Sequence, residues 1–469
     1  MNNDDLIYAS LLLFSITFGY FIRLFKEREL RKWVSTLVGL LLVFVVSGFH
    51  IVHPLICTLI NALIIVNMDK TTCAKYSFAF QFGYLAFFRT TEYFGIPYPP
   101  AHTNLVQMVL TLKLVGLAFE VQDTAVAKAK ARDKSEDSDT NIQEVAASVS
   151  PGFMDIFHYA FTHVGVLTGP FYTYRTYNDW LHTPFSDHAP CFEETLRKLK
   201  WLPLFLSLFL TATYFYPLQY AKSDEFYSER SFWYRLWYTY PSFFIFRMRI
   251  YSGLIMSECV CTMAGLGAYP VATAPVAGQG PSKDFALLRQ VVSDPEQAKK
   301  ATYNFETIHN IDPYGSEFIP TLRQSMKSWN ICIQYWLAVN VYKRLPRNAF
   351  RTTVTLFVSA FWHGIYAGYY LCICTVALYL PVEDLYVKHF TKGLGGMAGK
   401  IADFVVWFFR LQALSYMAIT FFLLTIHDSF KYWNSIYFCC HVLWAAFYMV
   451  GVVAVKARKK SNMEKDKSI

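Results

Sequence analysis

The fold of this chain is decided by an apolar run from Thr352 to Leu380, which contains the sequence SAFWHGIYAGYY at 359–370. The run holds no Lys, Arg, Asp or Glu, and it is longer than the roughly 20 residues that a helix needs to cross a bilayer. His363 is therefore an ionisable group at predicted membrane depth, where polar side chains are costly and usually functional. Gly364 and Gly368 leave room on such a helix for a backbone or a ligand. The run predicts a membrane cavity with a histidine in its wall.

The composition of the whole chain is that of a membrane protein. Of its 469 residues, 54% are hydrophobic and only 16% are charged, whereas soluble domains carry about 25% charged residues. Several apolar runs reach membrane-spanning length. We therefore expect an all-α polytopic membrane protein, with residues 1–469 in a single membrane-embedded domain. The net charge of +9 fits cytosolic loops that face anionic lipid headgroups, so no nucleic-acid partner is expected.

Charged segments between the apolar runs predict the orientation of the chain. The basic stretch 23–32 follows the first apolar run, Leu6 to Ile22, and faces the cytosol by the positive-inside rule, which makes the N-terminus luminal. Five crossings then place the charged segment 121–150 in the cytosol, where we expect a polar loop. The basic tail 456–469 is also expected to be cytosolic. Its end, KDKSI at 465–469, resembles a retrieval signal and predicts the endoplasmic-reticulum membrane.

The cysteines and histidines do not have the spacing of a metal site. Cys259-Val260-Cys261 and Cys439-Cys440-His441 lack the paired spacing of zinc ligands. His50 and His53 are close together, but no third ligand accompanies them. We expect no metal, and we expect the ten cysteines to be reduced.

Several basic residues lie inside or beside apolar aromatic segments. Lys113 falls within the run Leu105 to Phe119, so that helix is expected to pack against protein rather than lipid. Arg175, Arg247 and Arg249 have two interpretations. They are anchors at the membrane interface, or they are donors to the phosphate of a lipid headgroup. The residues themselves leave both interpretations open.

Two polar motifs together indicate a family. In the amphipathic segment from Leu322 to Tyr342, Trp329-Asn330 precedes Trp362-His363-Gly364 by thirty-three residues. This arrangement resembles the membrane-bound O-acyltransferase family. Three further motifs are similar to its lysophospholipid-acylating branch, and most of all to members that act on lysophosphatidylinositol. These motifs are GPF at 169–171, FRMR at 246–249 and YNFETIHNID at 303–312.

The resemblance implies a fold of about eleven transmembrane helices around an internal catalytic chamber. It implies that acyl-CoA is a co-substrate, with no cofactor, and that the acceptor is the sn-2 hydroxyl of lysophosphatidylinositol or a related lysophospholipid in the membrane. A polyunsaturated, arachidonoyl-type acyl chain and a role in phospholipid remodelling are implied with it. The family's catalytic asparagine and histidine carry over onto Asn330 and His363. The candidate substrate-binding residues are Trp362, Tyr335, Arg175, Arg247 and Arg249.

The chemistry of these residue types agrees with that function. A histidine of ordinary pKa, about 6.5, can take the proton of a lipid hydroxyl at neutral pH. The thioester is already activated, because a thiol of pKa near 8.5 leaves readily as thiolate. We therefore assign His363 as general base and expect Asn330 to position a reactant or to stabilise the oxyanion.

Other interpretations of the same residues stay open. His363 can be a structural histidine bonded to a neighbouring carbonyl, and Asn330 can make an ordinary interhelical hydrogen bond. The acceptor can be a peptide or another lysophospholipid headgroup. A lipid transporter would favour broken helices in two symmetric halves, and no inverted repeat is evident in the sequence.

Overall fold

The structure, a computed structural model, describes residues 3–133, 148–348 and 350–467. Within these ranges the chain is mostly helical, as predicted. Strand in the described residues is limited to one short antiparallel pair, formed by β1 (Tyr269–Pro270) and β2 (Tyr303–Asn304).

The helices are numbered in chain order. The first part of the chain forms α1 (Asn3–Ile22), α2 (Arg28–Ser47), α3 (Val52–Asn67), α4 (Cys73–Phe88), α5 (Ala101–Asp133), α6 (Phe153–Phe161), α7 (Tyr174–His182), α8 (Phe185–His188), α9 (Cys191–Leu199), α10 (Leu202–Phe215), α11 (Asp224–Glu229) and α12 (Phe232–Ala264). The remainder forms α13 (Phe285–Ser293), α14 (Pro295–Lys300), α15 (Pro313–Phe318), α16 (Leu322–Ser325), α17 (Ile331–Asn340), α18 (Arg351–His363), α19 (Ala367–Tyr386), α20 (Gly396–Leu423), α21 (Ile426–Ser435) and α22 (Cys439–Lys467).

Helical stretches of membrane-spanning length and composition support a multi-pass membrane protein. In the described part of the chain there are six of them, by length and composition alone. The count of about eleven crossings stays a prediction. The six stretches are Asp5–Ile22, Arg28–Asn67, Ala101–Lys130, Ala367–Thr391, Gly396–Leu423 and Cys439–Lys459.

Two polar segments, 121–150 and the basic tail 456–469, were predicted to lie outside the membrane runs. The described parts of both continue helices. The predicted loop 121–150 begins too early, because α5 extends to Asp133 through alanines and long-chain residues that favour helix. Residues 134–147 of that segment lie outside the described residues. The basic tail continues α22 as far as Lys467, and the last two residues of the retrieval-like sequence also lie outside.

The segment after Phe153 forms two short helices, α6 and α7, rather than one long helix. Helix α6 ends at Phe161, ahead of the Gly169-Pro170 pair. The reason is packing against α2. A Cβ on Gly39 would overlap the carbonyl oxygen of Phe161, so the chain meets α2 there by direct backbone contact.

Contacts between residues divide the chain into two compact units, each built from three separate stretches. That the chain is one membrane-embedded domain stays a prediction. One of the five points at which the chain passes from one unit to the other falls between Trp329 and Asn330. The first unit contains Met1–Phe205, Ile250–Ile311 and Asn330–Pro346, and the second contains Leu206–Arg249, Asp312–Trp329 and Arg347–Ile469.

The first unit is organised around α5, which is continuously buried from Leu110 to Phe119. Lys113 lies in this helix and is only 1% exposed. Its Nζ donates to the Tyr172 hydroxyl at 3.2 Å and lies 4.6 Å from the centre of the Tyr159 ring. The aromatic faces stabilise the charge by a cation–π interaction. The prediction that this helix packs against protein is confirmed.

The core of the second unit is rich in aromatic side chains. Tyr416 stacks on Trp433 with ring centres 5.4 Å apart, and Phe226 stacks on Tyr432 at 5.8 Å. Such pairs add about 0.5–1.5 kcal/mol each to the burial of their apolar surface. Because this core also includes residues of α19 and α20, it holds the two helices that follow His363 in the chain.

Candidate active site

The helix that carries His363 ends at this residue. The sequence predicts one span from Thr352 to Leu380, which is wrong, because α18 ends at His363 and α19 begins only at Ala367. Gly364 lies in the break. A Cβ at this position would overlap the ring of Tyr369, so the chain can pass the ring only where the side chain is absent.

Gly368 brings the start of α19 against the end of α20. Its N–H, one of the first-turn donors that a helix cannot satisfy internally, donates to the Leu424 carbonyl at 2.7 Å. The Thr420 hydroxyl donates to the Gly368 carbonyl at 3.2 Å. A Cβ on Gly368 would overlap the backbone oxygen of Thr420. The prediction that this glycine allows close backbone approach is confirmed.

We expect the Gly368→Ala variant to be destabilised by about 1–3 kcal/mol, the usual effect of overpacking a tight contact. Thermal unfolding of the purified protein in detergent measures this. The control is Gly253→Ala in α12, where a Cβ would meet no atom within 4 Å and alanine favours the helix. Equal melting temperatures for the two variants would contradict the close packing of α19 on α20.

Aromatic rings surround His363 within the second unit. Its ring centre lies 4.8 Å from that of buried Trp362 and 5.2 Å from that of Phe421, which meets it edge-on. Phe421 also contacts Phe246, at 5.5 Å, and Phe246 stacks on Trp329 at 6.2 Å. Two phenylalanines thus connect His363 to the tryptophan of the Trp-Asn motif.

The positions of Phe246 and Phe421 next to the candidate site were not predicted from the sequence. Phe246 is the first residue of the FRMR motif, so its position next to a quoted arginine was a usable signal. Phe421 lies in an apolar helix with no distinguishing neighbour, and only the fold identifies it.

Asn330 belongs to the first unit, where it precedes α17 in a left-handed backbone conformation, with φ 48° and ψ 47°. Asparagine tolerates this conformation better than most residues with a side chain. The backbone carbonyl of Asn330 accepts the N–H groups of Ile333 and Gln334 at 2.9 Å each, while its side chain does not cap the helix. The amphipathic segment from Leu322 to Tyr342 is therefore not one continuous helix, because Asn330 lies between α16 and α17.

The start of α17 is held by Asn310. The carbonyl of Asn310 accepts the N–H of Ile331 at 2.8 Å, and its side-chain oxygen accepts the N–H of Cys332 at 3.1 Å. Asn310 is itself buried. One asparagine thus satisfies the two backbone donors that follow Asn330.

A carboxylate from α12 holds Asn310 in turn. One oxygen of Glu258 accepts the N–H of Asn310 at 2.7 Å and that of Ile311 at 2.9 Å, and the other is paired with Lys198. The role of Glu258 was not predicted from the sequence. The available signal was a lone acidic residue inside an apolar segment, which is a functional candidate by default.

His309 braces the same loop, outside the membrane-spanning segments. Its Nδ1 lies 3.1 Å from a carboxylate oxygen of Glu306, and its Nε2 lies 3.1 Å from the Ile311 carbonyl. The hydrogen bond with Glu306 raises the pKa of His309 and lowers the pKa of Glu306. The stabilisation from His309 is thus complete below its unfolded pKa, about 6.5, and is lost as pH rises through the raised value.

Tyr335 packs α17 against the loop that contains Gly278. A Cβ on Gly278 would lie 2.7 Å from the ring of Tyr335, and Gly278 has a left-handed φ of 75°. The Gly278 N–H donates to the Thr307 carbonyl at 2.8 Å. The left-handed φ and the close approach to the tyrosine ring both require glycine at position 278.

Arg175 lies in α7 at a polar cavity of about 430 Å³ in the first unit. Its Nε is 3.8 Å from a carboxylate oxygen of Asp179, and its guanidinium lies 5.1 Å from the centre of the Phe285 ring. Arg28, Lys32 and Asp155 also line the cavity, so it carries both charge signs. A phosphate-binding role for Arg175 stays a prediction.

The other two arginines lie in the second unit with His363. Buried Arg247 is paired with Glu317 at 2.7 Å, and its guanidinium lies 4.3 Å from the centre of the Phe243 ring. A phosphate at Arg247 would therefore compete with a carboxylate. Arg249 is exposed. Substrate binding by Arg247 and Arg249 stays a prediction.

Cysteine, histidine and carboxylate side chains are the potential metal ligands of this chain. In the described ranges, no three His, Cys, Asp or Glu side chains are grouped closely enough to hold a metal ion. The ten cysteines are free thiols, most of them buried.

The sequence is similar to known proteins over nearly its whole length. Residues 88–426 match the model of MBOAT, the membrane-bound O-acyltransferase family. The chain is 40% identical to membrane-bound acylglycerophosphatidylinositol O-acyltransferase frj of Drosophila melanogaster, with 98% of this chain and 95% of the relative aligned. It is 38% identical to membrane-bound acylglycerophosphatidylinositol O-acyltransferase mboat7 of Xenopus laevis, with 100% of this chain and 98% of the relative aligned. It is also 38% identical to MBOAT7 of Homo sapiens, which has the same descriptive name, with 96% of this chain and 94% of the relative aligned.

Proposed function

This chain belongs to the membrane-bound O-acyltransferase family, and on that premise we propose that it acylates the sn-2 hydroxyl of lysophosphatidylinositol with an acyl chain from acyl-CoA. One observation carries the proposal. Relatives named acylglycerophosphatidylinositol O-acyltransferases align with the chain at 38–40% identity across almost their full lengths. The alignment therefore extends over nearly the whole chain and is not limited to the segments that hold Asn330 and His363.

In the proposed reaction His363 is the general base. The sn-2 hydroxyl gives its proton to the imidazole while its oxygen attacks the thioester carbonyl carbon. The carbon–sulfur bond then breaks, and the CoA thiolate leaves. The imidazolium gives its proton to this thiolate and returns to the neutral imidazole. No covalent enzyme intermediate is needed. The edge-on contacts with Trp362 and Phe421 support this role, because they restrict the orientation of the ring.

Asn330 is proposed to position a reactant or to donate its amide to the developing oxyanion. Two observations support it. The side chain is not used to cap α17, and the backbone around it is held by Asn310. A donor that is already fixed needs no reorganisation during the reaction. The joint action of Asn330 and His363 rests on the family motif in which both residues occur.

We propose further that the protein resides in the endoplasmic-reticulum membrane, with its N-terminus luminal and its C-terminus cytosolic. The basic stretch 23–32 and the basic tail support this orientation. The proposed acyl chain is polyunsaturated. The proposal includes no metal and no cofactor beyond the co-substrate acyl-CoA.

A competition assay tests the acceptor. Purified protein receives lysophosphatidylinositol, lysophosphatidylcholine and lysophosphatidylserine together with saturated and polyunsaturated acyl-CoAs, and mass spectrometry identifies the products. We expect polyunsaturated phosphatidylinositol to exceed each other product by about tenfold or more, which corresponds to about 1.4 kcal/mol of discrimination. A His363→Phe protein in the same mixture is the control for uncatalysed transfer. Preferential acylation of another headgroup would refute the assignment.

A further inference from the structure

Glu258 is a buried charge that the proposed reaction does not use. Only 3% of its side chain is exposed. A carboxylate at such depth is costly unless it is paired and hydrogen-bonded. Glu258 meets this requirement through Lys198 and through the backbone N–H groups of Asn310 and Ile311.

These bonds lead directly to the turn at Asn330. Glu258 fixes the backbone of Asn310, and Asn310 offers two acceptors to the first two N–H groups of α17, those of Ile331 and Cys332. Hydrogen bonds to a charged acceptor are roughly twice as strong as neutral ones. The turn is therefore anchored to α12 by a short chain of bonds, all of them inside the first unit.

The backbone of Asn330 needs such an anchor. A residue with a side chain in the left-handed region keeps that conformation only when its surroundings over-determine it. The bonds from Asn310 to Ile331 and Cys332 fix the chain immediately after Asn330, and the direction of the Asn330 Cα–Cβ bond follows from that backbone conformation.

We propose that Glu258, paired with Lys198, is a positioning residue for acyl transfer that acts through Asn310 to orient the amide of Asn330. This inference rests on the proposed function of Asn330. Glu258 itself touches no reactant in this account. Its replacement should therefore lower kcat and leave the KM values for acyl-CoA and lysophosphatidylinositol unchanged.

The test is a double-mutant cycle with Glu258→Gln and Asn330→Gly, in which kcat, KM and thermal unfolding are measured on the purified full-length protein. We expect Glu258→Gln to lower kcat about tenfold or more in the wild-type background, and to lower it no further in the Asn330→Gly background, because the orientation of a missing amide cannot matter. Glycine at 330 adopts the left-handed conformation without strain, so it removes the amide alone.

The matched control is Glu383→Gln in the second unit. Glu383 is also a buried carboxylate that accepts two consecutive backbone N–H groups, those of Leu322 and Arg323. Any effect of Glu383→Gln on kcat should be the same in both backgrounds. If Glu258→Gln does not fold, Asn310→Ala removes the side-chain bond to Cys332 and enters the same cycle in its place.

The outcomes separate the two proposals. If Asn330→Gly loses activity and Glu258→Gln lowers kcat by the same factor in both backgrounds, the positioning role is overturned while the role of Asn330 stands. If Asn330→Gly keeps full activity, the proposed role of Asn330 fails, and the positioning role fails with it. If Glu258→Gln changes only the unfolding temperature, Glu258 is structural.

Discussion

Replacement of His363 by alanine should abolish release of CoA while the purified protein keeps its cooperative thermal unfolding in detergent. Removal of a positioned general base typically costs about 100- to 10,000-fold in rate. The assay follows free thiol with saturating acyl-CoA and lysophosphatidylinositol. If the variant turns over at the normal rate, the general-base assignment is wrong.

Two further variants separate the chemistry of His363 from its packing. His363→Phe retains an aromatic ring against Trp362 and Phe421 but cannot accept a proton, so it should be as inactive as the alanine variant. His427→Ala is the matched control in the same unit, because 82% of its side chain is exposed. Its rate should equal that of the wild type. Activity in the phenylalanine variant would show that the ring at 363 has a packing role only.

Replacement of Asn330 should leave a low residual rate, since the loss of one oxyanion donor costs about 100- to 1000-fold. The left-handed backbone at this residue decides which substitution is informative. Asn330→Gly removes the amide, and glycine adopts the left-handed conformation freely, so we expect lost activity without loss of stability. Asn330→Ala removes the same amide but also places a Cβ in the left-handed region, at a cost of about 1–2 kcal/mol in stability.

The comparison of these variants distinguishes catalysis from structure. Asn330→Asp keeps a short polar side chain that tolerates the left-handed conformation, but it has no amide donor, so its rate should fall as well. Rates are measured at saturating substrate, and stability by thermal unfolding. Full activity in Asn330→Gly would reduce this residue to a structural role. Loss of activity in Asn330→Ala alone would indicate backbone strain as the cause.

The glycines around His363 show how function and fold depend on the same short segment. Gly364 lets the chain pass the ring of Tyr369, and Gly368 lets α19 begin against the end of α20. The part of the apolar run from Ala367 onward lies in a helical stretch with the length and composition of a membrane span. Hydrophobicity is nevertheless the same for one long helix and for two shorter ones, so it did not reveal that His363 ends a helix.

The sequence by itself determined the class of the protein, its membrane character, the burial of Lys113 and the family to which the motifs belong. These properties follow from composition, from the length of apolar runs and from residues that lie close together in the chain. Only the tertiary structure decided that α19 starts where the Gly368 N–H meets Leu424, and that Glu258 supports the turn at Asn330 through Asn310. Gly368 and Leu424 are more than fifty residues apart in the chain, and so are Glu258 and Asn310. A local sequence pattern therefore cannot predict that they are partners. The physical reason is that a backbone donor or a buried carboxylate needs a partner, but folding selects that partner from the whole chain.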